Sequence, residues 1–546
     1  MVHIFTILGF LFCAVELHAQ GEQIESQEII IIKDYKVNLE DAVKVGFAPN
    51  TPPSENFKTD KLTYSIPSKL KKLEFEAKPI QPLSYTAPKL IPSDNSYLKL
   101  GFGSQIAPMA EWVHSQKIND KILINAHAVH NSAFRSDALN GYQKFMRNDG
   151  LVGMNYHSKK WMVAPSIYFK HNNNHLFSID DKGSNKLDIG RNNQKFGLSN
   201  KIENLIGKQE IKFSNTVYLS YLKDNVNQEQ TGEQSFKYNE YRYGTTFFVE
   251  KGIAKIHKLS GEFNIDMSQA NVISKNHRTI FSILPKYSIN LEKQKFKLFA
   301  GLNFTKEINQ MHILPVLETE KNLIGDALIF YTGWNIKLQV NYYDNLIIEN
   351  PYLFYTDNIK NTKVDNRYGG FKGLLGKLNY NLMFSNRQVN NMPLYLADTL
   401  NTRLFTLQFE PRMGINNLHV AFDFELSKKV KVINQFDVYL YDMNTFKRAW
   451  NKPTVDLNIG FIYKPFEKWT LRADFFVKSG IYTATTELVE TKLPTIIDLN
   501  VSGEYQFNKH LHFFLQANNV ATQKYRQYYG YNNYGIQVFG GIRWVY

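Results

Sequence analysis

The chain closes on Gly535-Ile-Gln-Val-Phe-Gly-Gly-Ile-Arg-Trp-Val-Tyr546. Alternate side chains of a strand point to opposite faces. One face of this stretch carries Ile536, Val538, Gly540, Ile542, Trp544 and Tyr546; the other carries Gln537, Phe539, Gly541, Arg543 and Val545. The first is apolar or glycine throughout and ends in two aromatics, and the second holds the only polar groups. Such a strand suits the wall of a transmembrane β-barrel, with lipid outside, a wet lumen inside and aromatics at the membrane interface. An edge strand of a soluble sheet could show the same pattern, so the rest of the chain has to decide.

From Tyr97 onward, segments of about ten residues with a period of two follow one another. Ile497, Leu499, Val501, Gly503, Tyr505 and Phe507 alternate with Asp498, Asn500, Ser502, Glu504 and Gln506. Trp469, Leu471, Ala473, Phe475 and Val477 alternate with Thr470, Arg472, Asp474, Phe476 and Lys478. A β-sandwich would hardly need so many long strands, and the forty-residue blade repeat of a propeller is not seen.

Short connections recur at Lys159-Lys160, at residues 207–209, 250–252 and 292–294, at Gly376-Lys377, at residues 427–429 and 465–467, and at Asn508-Lys509. Long polar ones lie between them, over 131–148, 171–192, 224–235, 268–276, 340–365, 387–401, 443–453, 479–494 and 520–534. Tight turns on one rim and long loops on the other is the outer-membrane barrel pattern. Parity sets the strand number, because bacterial single-chain barrels have an even count. Treating Arg403 to Glu410 as a separate strand breaks the short–long alternation. One long strand over 402–427 restores it and leads to about 22 strands within 96–546.

Composition agrees. Among 546 residues there are 32 Tyr and 39 Phe, yet mean hydropathy is only −0.36. Beyond the N-terminus no apolar run reaches the ~18 residues of a membrane helix. A barrel needs none, since only every second residue meets lipid. Residues 1–20, apolar from Ile4 to Val15, read as a signal peptide cleaved near Ala19 or Gln20. The single cysteine, Cys13, lies inside it, so the mature chain would rely on its hydrogen-bonded wall rather than on disulfides. The formal net charge is +14. The lysines are spread over short turns rather than gathered in a stripe, which points to lipid head groups and lipopolysaccharide phosphates and away from nucleic acid.

Residues 21–95 form a distinct segment that holds eight of the 18 prolines. Proline removes a ladder donor and stops helices, so this stretch reads as extended. Near its start Glu28, Ile29, Ile30, Ile31, Ile32 and Lys33 form a run that could add to a partner's sheet edge or pair with the protein's own turns.

Phe514-Leu515-Gln516-Ala517-Asn518-Asn519-Val520, then Lys524-Tyr525, then the strand to Tyr546 resemble the C-terminal hairpin of TonB-dependent outer-membrane receptors. Gly541, Trp544 and Tyr546 match three places of that family's C-terminal signal for the barrel-assembly machinery, whereas Phe539 stands where a polar residue is usual. Glu28 to Lys33 resembles a TonB box. The proline-rich lead-in, with Asp34-Tyr35-Lys36 and Tyr97-Leu98-Lys99-Leu100-Gly101-Phe102-Gly103, is similar to a plug-poor, receptor-like group in Bacteroidota. The resemblance implies a barrel in a Gram-negative outer membrane, both termini periplasmic, and contact with TonB or another periplasmic or outer-membrane protein through residues 21–95. It also shows a departure. Receptors of this family carry a folded plug domain much longer than the segment available here, so energised siderophore or vitamin uptake does not follow from the barrel alone.

Catalytic and metal motifs are sparse. His127 and His130, three apart on a strand, face opposite sides. His510 and His512 share a face but fall short of a zinc ligand set. His171 and His175 lie in an Asn-rich loop. There is no phosphate-binding glycine loop, paired-cysteine site or nucleophile elbow. Asp456, Asp474, Asp498 and Glu504 read as solvated lumen lining. The expectation is therefore a non-enzymatic, receptor-like outer-membrane barrel without cofactor or metal, engaged in transport or passage of a solute. The alternative is a structural or assembly subunit of an outer-membrane protein complex.

Overall fold

The computed structural model describes residues 96–134, 144–176, 189–205, 211–226, 236–271, 275–307, 310–356, 358–399 and 404–546. The expectations for residues 1–20, for residues 21–95 and for Glu28 to Lys33 fall outside them.

Twenty-two strands form one antiparallel sheet, each hydrogen-bonded to its neighbours in chain order. The last strand, Gln537–Val545, pairs back onto the first, Tyr97–Gly103, from Tyr97↔Val545 to Gly103↔Phe539. The sheet is closed and has no edge, so every wall strand has a hydrogen-bonding partner on both sides. The strand number and all-β class expected from the alternation of connections are those observed. No helix among the described residues is long and apolar enough to cross a membrane.

The parity of the faces holds around the ring. Trp544 pairs with Leu98, and Leu98 pairs with Trp112, on the outer face; Arg543, Lys99 and Glu111 line up on the inner one. Large apolar side chains stand exposed on the outside, among them Phe102, Val152, Ile167, Leu219 and Leu440. Trp112, Trp161, Trp469 and Trp544 are exposed near the rim of short turns, the position of an interfacial aromatic girdle.

About 9–11 residues span a bilayer as a tilted strand. Most wall strands are longer, and the surplus lies on the rim of long loops. Phe405–Ser427 is one strand of 23 residues, as the merged 402–427 requires. Its upper part, Phe405–Glu410, pairs with Met392–Ala397 and with no other wall strand. The register skips at Asn391, whose φ is 58°, and the hairpin above that bulge stands as a two-stranded ribbon.

Several expected loops are accordingly shorter. Strands run to Leu176 and resume at Ile189, inside the expected loop 171–192, and Leu378–Ala397 enters the expected loop 387–401. Backbone groups continue to pair in a ladder beyond the membrane, which polar composition alone does not reveal. The expected turn at 250–252 is strand, and the chain reverses after Ala254. Two connections on the long-loop rim are tight: Gln105 (φ 69°) and Ile106 (φ 52°) turn the chain between the first two strands, and only two residues separate Glu307 from Gln310.

The seam depends on glycine. A Cβ on Gly541 would lie 2.1 Å from the Leu100 carbonyl oxygen and 2.8 Å from the Phe514 ring. Lys99 Nζ sits 4.3 Å from the centroid of that ring. Trp544 and Tyr546 stand half-exposed on the outer face, and Trp112 Nε1 donates to Tyr546 Oη at 2.8 Å across the closure.

Candidate functional site

The connection between the 13th and 14th strands, Leu328–Gln339 and Thr362–Leu375, contains the only α-helix among the described residues: α1, Tyr343–Glu349. Asp344 in its first turn complements the positive end of the helix dipole, and Asn350-Pro351 ends it, because proline cannot continue the ladder. Tyr343, Leu346 and Ile347 recur at helical spacing and are buried, whereas Ile348 is exposed. Each buried apolar side chain contributes about 2 kcal/mol by area.

One set of anchors comes from the sixth to tenth strands. Arg191 and Asp224, each 2% exposed, form a buried ion pair with Arg191 Nε donating at 3.0 and 3.1 Å and Nη2 at 2.6 Å. Arg191 Nη1 donates to the carbonyls of Pro351 (2.8 Å) and Leu353 (2.7 Å), and Nη2 donates to Tyr343 Oη. Tyr343 Oη in turn donates to Asp224 at 2.9 Å. Burial holds the Tyr343 phenol well above its ordinary pKa, so it stays a donor. Lys195 pairs with Asp344. The Arg242 guanidinium lies 3.3 Å from the centroid of the Tyr342 ring, and Arg278 donates to the Asn341 carbonyl at 2.6 Å.

A second set comes from the 15th and 16th strands and the connection after the 17th. Phe354 N donates to Phe405 O at 2.6 Å, and Phe405 N to Tyr352 O at 2.9 Å. Tyr395 Oη donates to Glu349 at 3.0 Å, and Lys452 pairs with the same carboxylate. The third set lies between the last two wall strands, where Tyr528 Oη donates to the Glu349 carbonyl and Tyr531 stacks on Tyr352 at 3.3 Å between centroids.

These anchors are spread round the circumference. No gap between successive anchoring positions reaches half of the 22-strand ring. A segment held from all these sectors cannot lie against one wall. Residues 341–356 therefore cross the long-loop end of the lumen. Their aromatics share a buried cluster with Leu222, Tyr238, Phe405, Tyr528 and Tyr531.

A cavity of about 500 Å³ lies beside this crossing, lined among others by Asn131, Arg147, Tyr352, Gln516, Tyr534 and Gln537. A second of about 200 Å³ shares Arg147 and Asn174 with it and adds Lys170, Asn193, Lys195 and Asp344. Amides, cations and ring edges converge here, a lining that can hydrogen-bond a small polar solute.

The residues singled out from sequence are mostly apart from this site. His127 Nε2 approaches Glu111 at 3.5 Å on the inner face, whereas His130 bonds Asn148 and Ser132 on the other. His510 Nδ1 meets the Val545 carbonyl while His512 Nδ1 meets Glu504, so the two do not converge. His171 and His175 lie on the strand Trp161–Leu176 and not in a loop. Among the described residues no three His, Cys, Asp or Glu are placed to hold a metal ion. The luminal carboxylates are not simply solvated: Asp474 pairs with Arg472, Asp456 with Lys478, Glu504 with Arg543, and Asp498 accepts from Tyr525. The anchors Arg191, Asp224, Arg242, Tyr343 and Glu349 were not foreseen. The one sequence signal was Leu346-Ile347-Ile348 among five aromatics in a connection otherwise read as polar.

No family model matches the chain, and no curated protein matches it in sequence. Solved structures do match in fold. The siderophore receptor PiuA from Acinetobacter baumannii aligns over 84% of this chain and 82% of its own, with TM-score 0.65 and 11% identity. The copper transporter OprC aligns over 85% and 81%, with TM-score 0.66 and 10% identity. The FrpB iron transporter from Neisseria meningitidis (F3-3 variant) aligns over 82% and 81%, with TM-score 0.67 and 11% identity. The chain shares its fold, a closed barrel of 22 antiparallel strands, with these receptors and transporters.

Proposed function

We propose that this chain is an outer-membrane, receptor-like transport barrel that captures a small polar solute at its long-loop mouth. The solute passes inward when residues 341–356 move aside. The observation that carries this reading is the crossing segment itself, clamped through Arg191, Asp224 and Tyr343 beside a polar cavity of about 500 Å³. A wall that only scaffolded other proteins would have no need of a segment tied across its lumen. The fold shared with receptors and transporters of siderophores, copper and iron supports the transport class without naming a solute.

In this reading the long loops face the exterior and the short turns the periplasm, which places both termini on the periplasmic side. Residues 21–95 reach the lumen as a reduced plug or a periplasmic partner such as TonB, with Glu28, Ile29, Ile30, Ile31, Ile32 and Lys33 adding as a strand. Gly541, Trp544 and Tyr546 serve the assembly machinery, and the outer wall meets lipid and lipopolysaccharide. The second reading, a structural subunit of an outer-membrane complex, is favoured by the length of that proline-rich arm.

Planar-bilayer recording tests the transport reading, using the full chain, the chain without residues 21–95, and Arg191→Ala in both. Higher conductance when the clamp is released supports it. A barrel closed in all four forms sinks it. Native purification in a fixed-stoichiometry complex would favour the scaffold.

A further inference from the structure

The rim of short turns carries a feature that the transport reading does not use. Two adjacent turns, residues 427–429 and 464–468, are tied together by Lys464 N donating to Lys429 O at 2.7 Å and Lys429 Nζ donating to Pro465 O at 2.9 Å. They enclose a groove of about 760 Å³ lined by Lys428, Lys429, Lys464 and Lys468, with Glu467 the one acid in the lining. All four lysines are exposed, and none forms an ion pair with a described carboxylate.

Trp469 and Tyr505 complete the groove, their ring centroids 4.9 Å apart. Phe466, at the tip of its turn, is 71% exposed. From this groove the outer wall continues as an apolar track past Leu426, Phe461, Tyr463 and Leu471.

We propose that this groove binds the anionic headgroup of a membrane phospholipid, with the acyl chains lying along the track. Two independent features select that occupant. Four cations against one carboxylate favour a phosphate with net negative charge. The aromatic pair and the exposed Phe466 belong at a water–lipid boundary, where an apolar body and a polar edge are both satisfied. A soluble phosphate would meet the lysines but leave the apolar track and Phe466 unoccupied, whereas a zwitterionic lipid would cover the track but attract the lysines weakly. The lipid would pin the height of this rim at the bilayer surface.

The full chain, delipidated in an uncharged detergent, is titrated with phosphatidylglycerol and with phosphatidylcholine, and bound lipid is read by native mass spectrometry. Phosphatidylglycerol is expected to be retained selectively. Each lysine contributes about fivefold, so K428Q/K464Q/K468Q should lose well over tenfold while still migrating as a heat-modifiable folded barrel. Should the triple variant not fold, the single K464Q should lose about fivefold, and F466A should weaken both lipids. Equal retention of the two lipids, or unchanged phosphatidylglycerol binding in the lysine variants, overturns the proposal. So does full displacement by glycerol 3-phosphate, which would make this a site for a soluble phosphate.

Discussion

Arg191 and Asp224 stand on neighbouring strands in diagonal register, both 2% exposed, and the carboxylate accepts three hydrogen bonds from two nitrogens, Nε and Nη2, of one guanidinium. The pair leaves Nη1 free to hold the carbonyls of Pro351 and Leu353. A strand-to-strand ion pair is in this way converted into an anchor for the crossing segment.

Breaking one side of a buried pair strands a charge and costs about 3–5 kcal/mol, whereas removing both costs less. Asp224→Ala should therefore release residues 341–356, and R191A/D224A should release them by less than the sum of the two single variants. Protease cleavage within 341–356 on the folded barrel measures this. Additive effects of the two single variants would show that the pair is not coupled.

The seam glycine gives a sharper contrast. A Cβ on Gly541 meets backbone at 2.1 Å, whereas a Cβ on Gly150 meets nothing within 4 Å. Gly541→Ala should lower the yield of folded, heat-modifiable barrel, and Gly150→Ala should not. Refolding from urea into detergent, where no assembly machinery is present, separates closure geometry from signal recognition. A normal yield for Gly541→Ala there would leave only the signal role.

Burial lifts the phenols of Tyr342, Tyr343, Tyr352 and Tyr528 above the ordinary value of 10.0. Groups with a raised folded pKa add stability that is complete below the unfolded value and lost as pH rises beyond it. Closure should thus be flat with pH up to about 10 and weaken above it. Tyr352→Phe keeps the ring on Tyr531 and removes one titrating proton, so the dependence above pH 10 should become shallower. An unchanged slope in pH-dependent conductance would count against these phenols as the cause.

Glu349 is different because its side chain is 41% exposed. Exposed pairs are worth about 0–1 kcal/mol and are screened by salt. Glu349→Gln should raise cleavage of the segment less than about fivefold, with the difference vanishing at high salt. A larger or salt-insensitive effect would mean that Tyr395, which donates to this carboxylate, depends on it more than its exposure implies.

The wall was legible because its physics is local. Facing lipid on one side and water on the other imposes a period of two, and Trp544, Ile542 and Val538 against Arg543 and Gln537 already display it. The short–long alternation of connections then set the count, and closure of Gly535–Tyr546 onto the strand at Tyr97 followed from parity. The ribbon above Asn391 was only half legible, because a ladder that continues in water has no lipid-facing stripe to mark it.

What the sequence by itself determined is therefore the barrel: its class, its strand number, and which face of each strand meets lipid. The closed mouth was decided by tertiary structure alone. Arg191, Asp224, Tyr343, Glu349 and Tyr528 lie up to hundreds of residues apart, and nothing in their spacing relates them. Only when the sheet closes do the 6th, 15th and 22nd strands come to surround one point, and side chains that would each be ordinary in water become partners there, Arg191, Asp224 and Tyr343 among them fully buried.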